Sequence, residues 1–288
     1  MKLLRYGAKG AEKPGLLDAQ GVVRDLSSEM ADITAHTLTP HSLQRLRELD
    51  PATLAVVANP GRLALPWAGC GKFIAVGLNY ADHAAESNLP VPAEPVLFTK
   101  TVSCMVGCND AVVLPQGSVK ADWEIELGIV IGTKARYVSE AEALTFVAGY
   151  CVVNDVSERE YQIERGGTWD KGKGCDTFGP VGPWMVTADE VPDPQALSMW
   201  LDVNGTRRQT GSTKTMIFGV AHLVSYISRF MTLMPGDLIT TGTPPGVGMG
   251  AKPVPTYLKP GDTMRLGIQG LGEQSQRVFA WDPDLIDG

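Results

Sequence analysis

Three acidic residues are spaced so that their carboxylates can share one metal ion. Glu124 and Glu126 lie two residues apart in the run 122–131, which alternates acidic and apolar residues and then becomes continuously apolar. This pattern predicts a strand that enters a buried sheet, and residues i and i+2 of a strand point to the same face. A third carboxylate, Asp155, follows a second apolar run at 150–154. All three carboxylates are therefore expected at the polar ends of buried strands.

Clustered carboxylates on a partly buried face carry an energetic cost that a cation removes. Like charges repel each other, and each one resists leaving water. A hard divalent cation relieves both costs, and carboxylate oxygens are the ligands that Mg²⁺ and Mn²⁺ prefer. The alternative is a solvated strand face and an aspartate in a turn. No basic residue close in the sequence offers to pair with Glu124 or Glu126, so the pattern alone leaves the metal site and the solvated face equally open.

His83 and Glu86 form a candidate pair for general base catalysis. They are three residues apart in a segment that Asn79 can cap as a short helix, so both side chains share one helix face. The carboxylate can then fix the imidazole in one tautomer while the other ring nitrogen faces a water molecule. The alternative is an incidental pair on a surface helix.

Two glycine-containing segments are candidates for binding substrate. The long polar stretch 155–180 contains Trp169 and Lys173, and it is typical of an ordered lid whose lysine meets a carboxylate or an enolate. The turn 241–248 offers a threonine hydroxyl and backbone N–H groups for carboxylate oxygens. Its sequence fits neither a Walker loop nor a G-x-G-x-x-G fingerprint, so no nucleotide is predicted. A plain surface lysine and a surface turn are the alternatives.

The composition is that of an ordinary globular protein. The chain has 288 residues with 44% hydrophobic and 20% charged residues, and its net charge of −7 comes without a basic patch, which argues against a nucleic-acid partner. No apolar run is long enough to span a membrane, and the N-terminus lacks a signal-peptide core, so we expect no membrane partner and a cytoplasmic location. The five cysteines lack paired spacing and are interpreted as reduced thiols.

Strand patterns outnumber helix patterns, and the two do not alternate regularly. An α+β fold with a mixed or antiparallel sheet is therefore predicted, with a small N-terminal α+β domain at 1–68 and a catalytic domain at 69–288. Helices are expected at 41–48, 51–58, after Ser139 as far as Gly149, and at 218–231. Strands are expected at 2–6, 14–25, 72–77, 112–114, 123–132, 198–203, 237–242, 262–268 and 276–281.

Taken together, these motifs resemble the fumarylacetoacetate hydrolase family. The similarity covers about residues 70–281, and its motifs occur in the family's order. No single motif is specific alone, but the set is. The matching segments are 77–86, 98–100, 123–127, 154–159, 172–180 and 241–248.

The resemblance implies the family's mixed, barrel-like β-roll and a homodimer or higher homo-oligomer. It also implies a role for each matching residue. These roles are metal binding by Glu124, Glu126 and Asp155, water activation by His83 and Glu86 on a lid helix, a catalytic contact by Lys173, and substrate binding by Lys100, Arg159, Gln162 and Thr243.

The implied reaction is metal-dependent hydrolysis of a carbon–carbon bond in a 2,4-diketo acid, which gives pyruvate and a second carboxylic acid. The sequence of residues 161–167 is similar to that of bacterial 2,4-diketo-3-deoxy-L-rhamnonate and -L-fuconate hydrolases. Oxaloacetate decarboxylation, or another lyase or isomerase reaction through a pyruvate enolate, is the alternative with the same site. A non-catalytic binder of small acids and a structural calcium site remain further alternatives.

Overall fold

A ten-stranded sheet with mainly antiparallel pairing dominates the part of the chain that the computed structural model describes, residues 1–86 and 90–287. The predicted mixed α+β class is confirmed. The strands are β1 Lys2–Tyr6, β2 Lys13–Leu17, β3 Val23–Asp25, β4 Phe73–Gly77, β5 Val96–Lys100, β6 Met105–Gly107, β7 Val112–Val113, β8 Ala121–Asp122, β9 Ile125–Ile131, β10 Val147–Asn154, β11 Ser157–Glu158, β12 Gly179–Thr187, β13 Ser198–Val203, β14 Thr206–Ser212, β15 Leu238–Thr240, β16 Thr263–Ile268 and β17 Gly272–Phe279.

Helices are few and short. The longest described helix, α4, is amphipathic and packs one face into the main core. The α-helices are α1 Pro40–Arg47, α2 Ala81–Glu86, α3 Asp170–Lys173, α4 Val220–Phe230 and α5 Pro283–Asp287, with a π-helix at Glu160–Glu164 and 3₁₀ turns at Ala35–Thr37, Pro51–Thr53, Val102–Cys104, Ala143–Phe146, Ala188–Glu190, Thr213–Thr215 and Gly248–Gly250. None of these helices combines the length and hydrophobicity needed to span a bilayer.

The large sheet is open at both edges. Its strand order is β3-β2-β1-β12-β10-β9-β15-β4-β5, with β6 paired to β12. A second sheet has the order β14-β13-β16-β17-β7, and β8 pairs with β11. Within the described residues the sheets therefore form a roll and no closed barrel.

The central strands are buried on both faces, which explains their continuous apolar runs. Ile129 of β9 packs in the core shared with the second sheet and α4. Its neighbour Val130 packs on the opposite face with Leu3, Phe73 and Leu238. Both β9 and β10 are fully buried along their length. The three acidic residues lie within this buried pair of strands or directly next to it.

The N-terminal strands extend the large sheet at one edge. β1 pairs antiparallel with β12, and Leu3 lies opposite Met185. β2 and β3 continue the sheet outward from β1. Residues 1–68 thus share a sheet with the rest of the chain, and their separation as a domain stays a prediction.

Three local predictions were wrong. The segment 51–58 forms only the turn Pro51–Thr53, although Asp50 does cap it by accepting from the Ala52 N–H. The segment after Ser139 forms a 3₁₀ turn and then enters β10 at Val147, because the buried apolar run there is needed for the central sheet. Asn79 does not cap α2; its side-chain amide donates to the carbonyls of Phe218 and Thr241.

Candidate active site

The two central strands bring the three predicted acidic residues together. Glu124 lies just before β9, Glu126 lies within it, and Asp155 directly follows β10. β9 and β10 are antiparallel neighbours, and the Asp155 N–H donates to the Glu124 carbonyl over 2.8 Å. One carboxylate oxygen from each residue lies within 4.8 Å of the others. The three carboxylates that the sequence places at strand ends therefore lie close together in the structure.

The electrostatics of this cluster favour a cation. Burial, together with the carboxylates of Asp155 and Glu124, raises the pKa of Glu126 well above its usual value. Burial would also raise the pKa of Glu124, but the cations of Arg159 and Lys173 bring it to about 2. Three buried carboxylates with only oxygen donors fit a hard divalent ion such as Mg²⁺ or Mn²⁺.

Lys173 lies at the centre of the cluster. Its ammonium is 2.6 Å from Glu124 Oε2 and 2.7 Å from Asp155 Oδ2. Burial would lower the pKa of Lys173, but these carboxylates outweigh burial and raise it. With these ion pairs Lys173 is a cation, which suits it to stabilising negative charge.

Lys100 lies behind the cluster, and its predicted role in substrate binding stays a prediction. Its side chain is fully buried, with Nζ 2.7 Å from Asp155 Oδ1. The same ammonium donates to the carbonyls of Val156 and Lys173. Lys100 is not among the residues that line the cavity described below. This geometry orients Asp155 and the end of α3.

Arg159 supplies a second cation that the sequence reasoning did not connect with the glutamates. Its guanidinium donates to Glu124 Oε1 over 2.6 Å, to Asp122 Oδ2 over 2.9 Å and to Gln162 Oε1 over 3.0 Å. The partner of Glu124 is thus 35 positions away in the chain. Asp122 was not predicted as a site residue, although its place in the alternating acidic run was a signal. Its carboxylate also accepts from the N–H groups of Gly248 and Met249.

His83 and Glu86 form the predicted pair on α2. His83 Nδ1 is 3.1 Å from Glu86 Oε2. Because a carboxylate only accepts, Nδ1 carries the proton, and in the neutral imidazole Nε2 then keeps its lone pair. Glu86 also accepts from the Gly246 N–H over 3.1 Å, which ties α2 to the turn 241–248. The imidazole is thereby oriented with its basic nitrogen available.

The Thr243 hydroxyl is already engaged within the protein. It donates to the Ile125 carbonyl over 2.9 Å and accepts from Gln209 Nε2 over 2.8 Å. A hydroxyl has one proton, so a contact in which Thr243 donates to a substrate carboxylate requires the bond to Ile125 to break. Gln209 was not identified from the sequence, because it comes from the distant strand β14.

One cavity of about 390 Å³ joins these groups. Its volume suits a small molecule. Its polar lining includes His83, Glu86, Glu124, Glu126, Arg159, Gln162, Lys173 and Thr243. The predicted catalytic pair and two of the three predicted metal ligands therefore face one space, with Asp155 buried behind them.

The stretch 155–180 forms one wall of the cavity, as expected for an ordered lid segment. Trp169 lines the cavity and packs edge to face on Phe98, with ring centroids 5.1 Å apart. A Cβ atom at Gly77 would lie 2.4 Å from the Trp169 ring, so the close approach needs glycine. The rim residues Met249 and Lys252 were not predicted, since their sequence carries no recognisable motif.

Comparison with known proteins gives one consistent family. A family model described as fumarylacetoacetate (FAA) hydrolase C-terminal matches residues 72–279. A protein of Burkholderia cenocepacia strain HI2424, which carries only a provisional name as a hydrolase, is 63% identical over 96% of this chain and 99% of its own length. The solved fumarylacetoacetate hydrolase of Exiguobacterium antarcticum is 36% identical with a TM-score of 0.86, and the match covers 98% of this chain and 100% of that one.

Two further solved structures carry different activities in their names. The maleylpyruvate hydrolase of Sphingobium sp. SYK-6, in complex with manganese(II) and pyruvate, is 29% identical with a TM-score of 0.81 over 98% of this chain and 100% of that one. The 5-carboxymethyl-2-hydroxymuconate delta-isomerase of Mycobacterium smegmatis is 32% identical with a TM-score of 0.77 over the same shares. Hydrolases and isomerases thus both occur on this fold.

Proposed function

This chain belongs to the fumarylacetoacetate hydrolase family, and from that premise we propose that it hydrolyses a carbon–carbon bond in a 2,4-diketo acid. The products are pyruvate and a second carboxylic acid. One observation carries the proposal: Glu124 and Glu126 of the acidic cluster and the oriented His83–Glu86 pair face the same cavity. A site that only bound acids would not need an imidazole held with its basic nitrogen available.

Glu124, Glu126 and Asp155 would hold a divalent ion, Mg²⁺ or Mn²⁺. When bound, such an ion supplies Lewis-acid polarisation of a carbonyl oxygen. The donor set fits this role because it contains three buried carboxylates and no sulfur or nitrogen ligand. The manganese in the Sphingobium hydrolase supports a divalent ion for this fold.

The residues around the cluster supply the remaining chemistry. His83 takes a proton from water at Nε2, and Glu86 stabilises the resulting imidazolium through Nδ1. The hydroxide so formed attacks the 4-keto carbon and the bond to the pyruvyl methylene breaks. The imidazolium of His83 then returns its proton to the methylene carbon of the enolate, which gives pyruvate. Lys173, whose ammonium lies in the cavity, stabilises the negative charge that develops on the departing enolate oxygen. Arg159, Gln162 and Thr243 line the cavity and would orient the substrate.

The finer assignments remain proposals. The residues 161–167 favour a 2,4-diketo-3-deoxy-L-rhamnonate or -L-fuconate substrate. A homodimer and a catalytic unit formed by residues 69–288 follow from the family resemblance. The alternative function is isomerisation or decarboxylation through a pyruvate enolate. The isomerase among the solved structures supports this alternative, because it has the same fold.

A labelled-water assay tests the reaction class. The purified protein with Mg²⁺ or Mn²⁺ would be given acylpyruvates, a 2,4-diketo-3-deoxy sugar acid and oxaloacetate in oxygen-18 water, and all products would be followed by mass spectrometry. We expect pyruvate and a second acid that carries the label in its new carboxylate. Turnover of oxaloacetate alone would instead show a decarboxylase, and a product isomeric with the substrate would show an isomerase.

A further inference from the structure

The cavity changes character from its floor to its walls. The floor holds the acidic cluster with Arg159 and Lys173, whereas the walls are largely apolar. The apolar lining consists of the side chains of Val76, Leu78, Phe98, Ile163, Trp169 and Met249. Such walls offer few hydrogen-bond partners, and burying a hydroxyl without a partner is costly. The middle of the substrate is therefore expected to carry few polar groups.

The two cations at the floor are committed to the protein's own carboxylates. Arg159 is held by Asp122 and Glu124. Lys173 is held by Glu124 and Asp155. Neither can take up a second substrate carboxylate without giving up buried ion pairs, which is expensive.

Lys252 is the remaining cation that lines this cavity, and it differs from the other two. It is exposed at the rim. In residues 1–86 and 90–287, its ammonium takes part in no ion pair and no hydrogen bond with a side chain. It follows the 3₁₀ turn Gly248–Gly250, whose first N–H groups are anchored by Asp122. A turn anchored by hydrogen bonds thus fixes the backbone that leads to this rim lysine, while its charge stays uncommitted.

We propose that Lys252 determines specificity by recognising a carboxylate at the distal end of the substrate. This inference rests on the proposed function, because it places the diketo acid head at the acidic cluster and the acyl chain along the apolar walls. The substrate class is then an acylpyruvate whose acyl chain ends in a carboxylate. This differs from the sugar-acid prediction, in which the distal end is a neutral chain of hydroxyl groups.

A pair of substrates that differ only in the distal charge tests the proposal. Succinylpyruvate ends in a carboxylate, and its terminal amide has the same size without the charge. For the wild-type protein with Mg²⁺ at low salt, we expect kcat/KM to be about fivefold higher for the acid than for the amide, mainly through KM. Added salt should reduce this ratio, because an exposed ion pair is screened.

Variants locate the recognition. Lys252→Met should bring the acid-to-amide ratio close to one, and Lys252→Arg should largely restore it because the charge is retained. Lys259→Met is the matched control, since Lys259 is also exposed and lies outside the cavity. It should keep the wild-type ratio. A preference for the acid that survives in Lys252→Met would overturn the proposal, and so would a preferred sugar-acid substrate.

Equilibrium binding separates this proposal from the hydrolase assignment. Calorimetric titration of the acid and the amide into His83→Asn protein, in which turnover is expected to be slow, and into His83→Asn/Lys252→Met gives the same comparison at equilibrium. If neither compound is cleaved by the wild-type protein but the acid binds more tightly only when Lys252 is present, the specificity claim stands and the hydrolase proposal fails. If both compounds are cleaved and bound equally, the hydrolase proposal stands and the specificity claim fails.

Discussion

Replacing His83 with asparagine is expected to lower kcat for diketo-acid hydrolysis by about two to four orders of magnitude. Asparagine keeps a donor near Glu86 Oε2, but it has no basic nitrogen to take a proton from water. KM should change little, because the groups that hold the acid head of the substrate are untouched. The measurement is steady-state pyruvate release with saturating Mg²⁺.

A second histidine provides a matched control for this experiment. His222 lies on α4, and its Nδ1 is 3.1 Å from Glu140 Oε2, the same separation as in the His83–Glu86 pair. It does not line the cavity. His222→Asn should therefore keep the wild-type kcat. If His83→Asn also keeps it, His83 is not the base and the mechanism proposed above is wrong.

Replacing Glu126 with glutamine is expected to weaken Mg²⁺ and Mn²⁺ binding on the order of a hundredfold or more and to lower activity in parallel. The change removes one of the three proposed ligand charges and keeps the side-chain shape. Glutamine can still accept from the Gly242 N–H, which donates to Glu126 Oε2 over 2.8 Å. Calorimetric titration with each metal gives the affinity.

Thermal unfolding in the presence of a chelator shows whether Glu126→Gln loses metal affinity without losing the stability of the fold. Glu126 is buried beside Glu124 and Asp155, so its ionised form is disfavoured in the fold. Removing that charge should leave the melting temperature of the metal-free protein unchanged or higher. Glu273→Gln is the control for metal binding, since Glu273 lies on β17 in an exposed ion pair with Arg265. Wild-type metal affinity in Glu126→Gln would remove this residue from the ligand set.

Local spacing predicts which of these side chains lie close together, in the acidic cluster and in the histidine pair, but it leaves their roles open. Glu124 and Glu126 share a face because any strand places i and i+2 together, and Asp155 joins them because consecutive antiparallel strands meet at their ends. His83 and Glu86 meet because α2 places i and i+3 on one side. These contacts depend on periodicity alone, and periodicity is visible in the sequence.

Contacts between distant segments could not be predicted in this way. Arg159 and Lys173 reach Glu124 from 35 and 49 positions away. Lys100 lies beneath Asp155 because β5 is at the edge of the large sheet and α3 packs beside it. Such positions follow from the order of strands in the sheet, and strand order is set by packing over the whole chain. The helix expected from Ser139 to Gly149 forms only a 3₁₀ turn at Ala143–Phe146, and its last residues belong to β10, which begins at Val147.

Crystals grown with Mn²⁺ would test the central claim most directly, through the anomalous scattering of the ion. The account predicts one strong peak per chain, coordinated by an oxygen from each of Glu124, Glu126 and Asp155, in the cavity that His83 faces. A peak bound elsewhere, or full activity in protein that binds no ion at these carboxylates, would contradict it.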